Sequence, residues 1–498
     1  MTDTTSAAGN QPDERLDRIN SLKKIQDSGV TAYAGKFDRS HMLAEAKALA
    51  MDTVVSVAGR IVFMRNMGKL AFAQLQDYSG KLQVVFKADV LGEAFEKALD
   101  NLHVGDFIGV KGEMFTTQKG EISVLVKECT FLSKTIRPLP EKWHGLTDQE
   151  TAYRKRYLDL ISNTETMDRF KFRSQFIHEL RNFYAKHGFV ELDTPVLQVA
   201  ASGALAKPFK THYNALDMDV YLRIAPEIYL KEAIVGGFDK IFEIARVFRN
   251  EGMDASHLQE FTMVEHYASY WDYKDNMKFT EEMFVEIVGK LKGSMNITIP
   301  NRDGEMVSVD LTPPWDRKTF RELIIADSGL DIDQYPTTAE LKEAIKKLGV
   351  EIQDIEVLGR GNMIDSLYKK VSRPKLVRPT FLTHHPIDIS PLARKNDENP
   401  NVTDRFQLVL NGWEIVNAYS ELIDPIDQAE RFAKQGEYKD AGDEEAMEKD
   451  DDYVEAMEHG MPPMSGWGMG VERVIALLTG QSNLRDVILF PLLKPKQK

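Results

Sequence analysis

The chain has 498 residues, 43% of them hydrophobic and 28% charged, with a formal net charge of -14. It is too long for a single core and too apolar to be disordered throughout, so two or more folded domains are expected. Its one cysteine, Cys129, excludes an internal disulfide and any zinc site built on cysteine clusters.

Cys129 is expected to be a buried filler, and the single thiol fits a reducing, cytoplasmic location. No apolar run approaches bilayer length, and the N-terminal MTDTTSAAGNQPDERLDR is polar. Neither a membrane span nor a signal peptide is expected. The acidity argues at first against a nucleic-acid partner. However, residues 437–458 alone carry eleven acids against two lysines, so the charge is concentrated there. This run reads as a solvated loop or helix face, which leaves room for a basic groove elsewhere.

In chain order, residues 1–50 read as a polar, helical extension, with Leu16, Ile19, Leu22 and Ile25 spaced for one apolar stripe. The period then changes to that of strands. VVSVAGRIVFM, LAFAQLQDY, KLQVVFK, DFIGVKGEMF and EISVLVKEC are separated by turns, with the helical DVLGEAFEKALDNL between the third and fourth. Five strands with a helix after the third form the pattern of an OB-fold β-barrel, assigned to residues 51–135. On such a sheet Phe72, beside Arg60 and Lys69, either stacks on a nucleic-acid base or fills the barrel.

Residues 136–150, with two prolines and little periodicity, read as a linker. A large α+β domain, 151–498, follows. It opens with an amphipathic helix over 165–187, stopped by Gly188, and an extended run FVELDTPVL around Pro195. FEIARVFRNEG (242–252) and HLQEFTMVEHY (257–267) each alternate apolar and polar residues around a loop with Gly252, Asp254 and Ser256. They predict a hairpin with charges at its mouth. Residues 310–380 look like a helical insertion. No GxxxxGK[ST] run and no convincing GxGxxG occurs. The nearest glycine-rich stretch is GWGMGVERV (466–474), whose glycines permit close backbone approach before a helix that carries Arg473.

GFVELDTPVL, FRNEG with HLQEF, and GWGMGVER, in that order after an OB-like domain, resemble the three motifs of class II aminoacyl-tRNA synthetases. SGALAKPF (202–209), YLRIAPEIYLKEAIVGGFDKIFEI (221–244), VNAYSEL (416–422) and RDVILFP (485–491) bring the resemblance closest to the lysyl-tRNA synthetase family of subclass IIb. It covers nearly the whole chain.

The resemblance implies a catalytic antiparallel sheet flanked by helices, and a homodimer formed through the 165–187 helix and the Pro195 strand. It implies ATP-dependent activation of L-lysine to lysyl-adenylate, and transfer to the 3′ end of tRNA(Lys). Arg249 would hold the lysine carboxylate and the ATP α-phosphate, and Glu251 would read the adenine amino group. His257 would lie near the distal phosphates. Phe261 would stack under adenine, with Arg473 over its other face, and these two arginines are the implied catalytic residues. Glu421, Tyr267 and Glu265 map to the side-chain amine, Glu227 and the Gly203 backbone to the α-amino group, and Asn417 and Tyr419 to the pocket wall. In the OB domain Phe72 and Gln83 match residues that engage the anticodon, with Arg60 and Glu121 in similar places.

The related aspartate and asparagine families share this architecture. An aspartate pocket needs a cation after GWEI, whereas here the chain runs VNAYSE into Glu421, so charge favours lysine. Departures from the family pattern are HLQEF after FRNEG, Ser202 in place of a glycine, Glu472 in place of aspartate, and Gln407 in place of a carboxylate that ligates Mg²⁺. Glu414 remains as the implied protein ligand for the Mg²⁺ that accompanies ATP.

Overall fold

The structure is a computed structural model that describes residues 11–140, 146, 148–200, 203–204, 206–252, 254–301, 304–356, 358–440 and 450–496. Ser202, much of the expected linker (141–145 and 147) and the middle of the acidic run (441–449) lie outside the described residues. The chain divides into two compact units, 1–147 and 148–498.

The first unit opens with helices α1 (Gln11–Asp27) and α2 (Leu43–Lys47). Strands β1 (Val54–Asn66), β2 (Leu70–Gln76) and β3 (Lys81–Lys87) follow, then short helices α3 (Ala88–Leu91) and α4 (Ala94–Leu99), and strands β4 (Phe107–Thr116) and β5 (Ile122–Ser133). The strands pair in the order β1-β2-β3-β5-β4, and β4 returns to β1. The seam between β3 and β5 is a short parallel ladder from Gln83↔Ser123 to Val85↔Leu125. Strand alternation turns Ala71, Ala73, Leu75, Leu82, Val84 and Phe86 into the core.

Three expectations are corrected in this unit. The helix after β3 is broken at Gly92, whose φ of +58° a glycine adopts without strain. In α1 the predicted stripe is rotated, since Leu16 is 56% exposed while Arg18 is 4% exposed. Arg18 reaches inward because its guanidinium donates to the Val104 carbonyl and to Glu14. Cys129 is half-buried, and burial pushes its thiol up to about 12, so the thiolate is suppressed.

The second unit begins with α5 (Gln149–Arg154), α6 (Arg156–Ser162) and α7 (Thr164–Lys186), the predicted long helix, which ends before Gly188 at φ +78°. The expected extended run is only two short pieces, β6 (Val190–Glu191) and β7 (Leu197–Gln198), because Pro195 cannot donate to a ladder. Next come β8 (Phe209–Tyr213), β9 (Met218–Leu222), α8 (Glu227–Val235), β10 (Lys240–Phe248), β11 (Glu260–Ser269), α9 (Tyr273–Lys292), β12 (Asn296–Pro300), β13 (Met306–Asp310) and β14 (Asp316–Thr319). Helices α10 (Phe320–Ser328), α11 (Thr338–Leu348) and α12 (Arg360–Val371) precede β15 (Thr380–Thr383), β16 (Arg405–Leu410) and β17 (Trp413–Ser420). The chain closes with α13 (Pro425–Asp440), α14 (Asp451–Glu458), β18 (Met464–Gly470) and α15 (Val471–Leu478).

An eight-stranded sheet, β14-β15-β16-β17-β18-β11-β10-β6, organises this unit. The predicted hairpin is β10 paired with β11. The inner strands are antiparallel as expected, but both edges add parallel strands, β14 on β15 and β6 on β10. The sheet is therefore mixed. The core of α7, α9, α15 and the sheet is one cluster that includes Phe176, Leu180, Phe279, Met283, Trp467 and Ile475. Helix α9 is capped by Asp272, which accepts from the Lys274 and Asp275 amides, and stops at left-handed Gly293.

The helices of the expected insertion pack on their own core of Phe320, Ile324, Leu341, Ile345 and Met363, while β14 and β15 at its two ends join the main sheet. In the acidic run, α14 is not fully solvated: Tyr453 and Met457 are buried, so one face packs inward.

Candidate active site

Three adjacent strands make the floor. β18 pairs with β11 on one side and β17 on the other, and directly opposed residues share a face. One rank runs Tyr267, Gly466, Tyr419 and on to Arg405. The next runs Glu265, Gly468, Asn417 and on to Gln407. A glycine in the middle of each rank leaves a trough between the flanking side chains. At Gly466 the requirement is steric, because a Cβ would lie 2.2 Å from Glu421 Oε1 and 2.5 Å from the Tyr267 ring. At Gly468 a Cβ would meet Glu265 Cγ at 3.6 Å, an ordinary contact.

A cavity of about 610 Å³ lies over this floor. One end holds Arg249, Glu251, His257, Phe261, Glu414 and Arg473. Arg249 follows β10 and its guanidinium lies over the Phe261 ring, 5.2 Å from the centroid. Its Nη2 makes only a long 3.5 Å contact to the Ile224 carbonyl, and its Nε is buried with no hydrogen-bond partner among the described residues. Protein crowds the group on all sides while part of it still faces the cavity. Burial lowers its pKa, with Glu251 opposing and Arg473 adding to the effect, but a guanidinium stays charged. Such an unpaired charged donor suits an anionic ligand. Arg473, in the first turn of α15, donates from Nη1 to the Glu414 carbonyl at 2.9 Å. His257 is exposed, with Nδ1 2.8 Å from Asp254 Oδ2. Burial opposes ionisation of Asp254, but hydrogen bonds from His257 and Ser256 prevail and bring it down to about 2.

The other end holds Gly203, Glu227, Glu265, Tyr267, Asn417 and Tyr419. Gly203 has φ +90°, where a Cβ would also press on Glu227 Cβ at 3.1 Å. Glu227 opens α8, and its Oε1 accepts from the Tyr419 hydroxyl at 2.7 Å. Glu265 accepts from the Tyr267 hydroxyl at 3.1 Å. Burial, then the neighbouring Glu227 charge, push Glu265 well above the usual carboxylate range. Asn417 is oriented by Arg405, whose Nε donates to Asn417 Oδ1 at 2.9 Å. Glu421 differs from the other predicted residues. Its side chain has no exposed surface, it is outside the cavity wall, and its Oε2 lies 2.6 Å from Lys231 Nζ.

Behind the floor, the Tyr184 hydroxyl donates to His266 Nδ1, and His266 Nε2 donates to Asn276 Oδ1. The Asn276 amide then donates to the Gly466 carbonyl and Ser465 Oγ. Glu472 is similarly tied, accepting from Arg173 and from the Thr262 amide. These buried bonds fix β18 and α15 relative to β11.

In the first unit, Phe72 and Gln83 are half-buried on the outer side of the barrel, alternating with the inward Ala71, Ala73, Leu82 and Val84. The barrel-core alternative for Phe72 is therefore ruled out. Gln83 donates to Ser123 Oγ, and Ser123 Oγ to the Glu121 carbonyl, which links this face to Glu121. Arg60 is committed internally, donating to the Gly105 carbonyl and lying 4.2 Å from the Phe107 ring centroid.

The family described as tRNA synthetases class II (D, K and N) matches residues 148–494, and the OB-fold nucleic acid binding domain matches 55–132. A lysine–tRNA ligase of Thermosipho africanus is 44% identical over 97% of this chain and 96% of its own length. One from Pelotomaculum thermopropionicum is 43% identical over 100% of this chain and 98% of its own. The chain belongs to the class II lysine–tRNA ligase family. A member from Aquifex aeolicus is 46% identical over 89% of this chain and 74% of its own length.

Lys231, buried behind the cavity wall, and Arg405, part of that wall, were not foreseen, nor were Asn362, Asp365 and Lys369 of α12, which line the cavity. A sequence signal existed for Lys231 alone, as a lysine one turn after Glu227 in the apolar EIYLKEAIV. For a ligase of this family the metal question is one of donors. Glu414 and Gln407 both line the cavity, and no cluster of three or more His, Cys, Asp or Glu suited to a metal occurs among the described residues. Mg²⁺ needs only one or two carboxylates when phosphates and water supply the rest, so this donor set fits a metal that arrives on ATP.

Proposed function

We infer that the protein is a lysine–tRNA ligase: a lysine carboxylate oxygen attacks the α-phosphorus of ATP, pyrophosphate leaves, and the lysyl group passes to a terminal ribose hydroxyl of tRNA(Lys). One observation carries this reading above the others. A single trough joins an acid-and-phenol end, suited to ammonium groups, to an arginine-and-aromatic end, suited to a nucleotide. The attacking carboxylate is already ionised, so the protein's task is to hold two anions together and disperse charge. Arg249, between Phe261 and the acid end, has the planar fork to bridge carboxylate and phosphate.

In this reading Glu251, His257, Phe261 and Arg473 take ATP, with Glu414 toward its Mg²⁺. Gly203, Glu227, Glu265, Tyr267, Asn417, Tyr419 and Glu421 serve the lysine. Phe72, Gln83 and Glu121 meet the anticodon, with Arg60 supporting the barrel beneath. Residues 51–135 form the anticodon-binding domain and 151–498 the catalytic domain. The enzyme works as a cytoplasmic homodimer. The dimer face is supported by Val196, Leu197 and Val199, which sit exposed around Pro195, and no described helix is long and apolar enough to cross a membrane.

The test is ATP–pyrophosphate exchange with each of the twenty amino acids, without tRNA, across a magnesium titration. Exchange with lysine alone is expected, at a raised magnesium requirement because Gln407 offers an amide. Exchange with aspartate or asparagine instead would overturn the pocket assignment.

A further inference from the structure

Lys231 is a cation built into a pocket for a cation. Its side chain has no exposed surface, and its Nζ lies 2.5 Å from Glu227 Oε1 and 2.6 Å from Glu421 Oε2. The rings of Tyr267, Tyr419 and Tyr453 surround it at 5.6 to 5.8 Å. Glu227, Tyr267 and Tyr419 open on the cavity, whereas Lys231 and Glu421 do not. The ammonium therefore sits outside the substrate space and grips two of the carboxylates that would define it.

A buried ion pair adds little net stability over an apolar pair of the same shape, so stability alone is a poor reason for this lysine. Charge balance gives a better one. Three carboxylates in one dry site cannot all stay ionised unaided, and a protonated carboxyl is a poor partner for an ammonium. With Glu265 held toward its neutral form by burial and by Glu227, the Glu227 and Glu421 carboxylates against the Lys231 ammonium leave one net negative charge at this end of the pocket. That complements free lysine, which has two ammonium groups and one carboxylate.

We propose that Lys231 is a positioning and specificity residue of the lysine pocket: held between Glu227 and Glu421, its ammonium keeps both carboxylates ionised and fixes their separation, selecting a substrate with lysine's charge and length. This rests on the cavity being the lysine site. The groups that face Lys231 are Glu227 from α8, Glu421 beyond β17, Tyr419 from β17, Tyr267 from β11 and Tyr453 from α14. Burial works against its charge, but the Glu227 and Glu421 carboxylates outweigh burial and hold the ammonium well above its usual range. Burial raises Glu421, and the Lys231 ammonium draws it back toward the charged form. Of these two opposed shifts the ammonium is the charge that persists, since two carboxylates and three ring faces enclose it.

The test compares Lys231→Met with the parent in pyrophosphate exchange against lysine, ornithine and ATP over a pH series. The variant should raise the lysine KM at least ~tenfold, as leaving buried carboxylates unpaired implies. The ATP KM should hold, and the preference for lysine over ornithine should shrink. The variant's lysine kcat/KM should climb over a higher pH range than the parent's, because carboxyls without the ammonium hold their protons longer. An unchanged lysine KM with superimposable pH profiles would overturn the proposal, and so would equal losses toward lysine and ATP. A parent that does not exchange with lysine would instead defeat the reading of the site. If the methionine variant does not fold, lysine binding to Lys231→Gln is measured by calorimetry over the same pH series, with the same two outcomes deciding.

Discussion

The two ends of the trough are built on opposite principles. At the end proposed for lysine most polar groups are already engaged by the protein: Tyr419 on Glu227, Tyr267 on Glu265, Lys231 on Glu227 and Arg405 on Asn417, with Glu421, which has no hydrogen-bond partner among the described residues, held by its charge contact with Lys231. At the end proposed for the nucleotide, Arg249 keeps a buried donor without a hydrogen-bond partner among the described residues, and His257, paired only with the surface Asp254 and Ser256, stands exposed. A small substrate must be discriminated from near relatives, which rewards a rigid, charge-balanced site. A polyphosphate brings its own charges, so the groups that meet it gain by being left unsatisfied until it arrives.

Substituting Arg249 attacks that contrast most directly. Arg249→Ala is expected to lower lysine-dependent pyrophosphate exchange by roughly 10²–10³-fold, the loss typical of a positioned donor. Its melting temperature should fall far less than its exchange, since only the Phe261 ring contact and the long bond to the Ile224 carbonyl are lost. A parallel collapse of melting temperature and exchange would make Arg249 a structural residue and erase the difference between the ends. At the lysine end the expected damage is of another kind. In Gly466→Ala the new methyl meets Glu421 Oε1 and the Tyr267 ring, so stability should fall by about 1–3 kcal/mol. The lysine KM should rise while the ATP KM stays put. Gly289→Ala in α9, away from the cavity and with nothing within 4 Å of a new Cβ, is the control.

The same logic separates two residues of the barrel. Phe72 stands on the outer face, so Phe72→Ala should weaken tRNA charging by about 1–3 kcal/mol, the worth of one stacked base, and spare exchange. Arg60 is committed to Gly105 and Phe107, so Arg60→Ala should lower the barrel's thermal stability first. Equal loss of charging and stability in both variants would remove the distinction.

These residues also show what the sequence made legible. Alternation placed Glu265 and Tyr267 on one face of β11, and the glycine spacing of GWGMG placed the open positions of β18, because a strand's period is 2 and needs no tertiary information. The OB pattern was readable for the same reason. Alternation could not say which strands would lie at the sheet edges, so the parallel β6 and β14 were missed. A helical stripe likewise cannot foresee a carbonyl such as that of Val104, which draws Arg18 inward in place of Leu16. The resemblance brought Glu421 into the pocket by position, yet its engagement with Lys231 depends on α8 meeting the end of β17, a contact between segments nearly two hundred residues apart. The wall contributed by α12 was out of reach for the same reason.

The smallest expected effect tests the bonds behind the floor. His266 is fully buried between Tyr184 and Asn276, and burial brings its pKa down to about 3 from the usual value near 6.5. The unfolded chain therefore binds a proton at this histidine below about pH 6.5 that the folded chain refuses until about pH 3. Stability must then rise with pH across that window and fall on acidification, by up to ~1.4 kcal/mol per pH unit for one such group. Above about pH 6 the effect stays within roughly 1 kcal/mol. Urea unfolding of the parent and of His266→Phe at several pH values isolates it. The variant should be less stable at neutral pH, having stranded the Tyr184 hydroxyl and Asn276, yet its stability should depend less on pH. Parallel pH slopes would mean that His266 is not held neutral, and that the Tyr184–His266–Asn276 chain does not carry the position of Gly466.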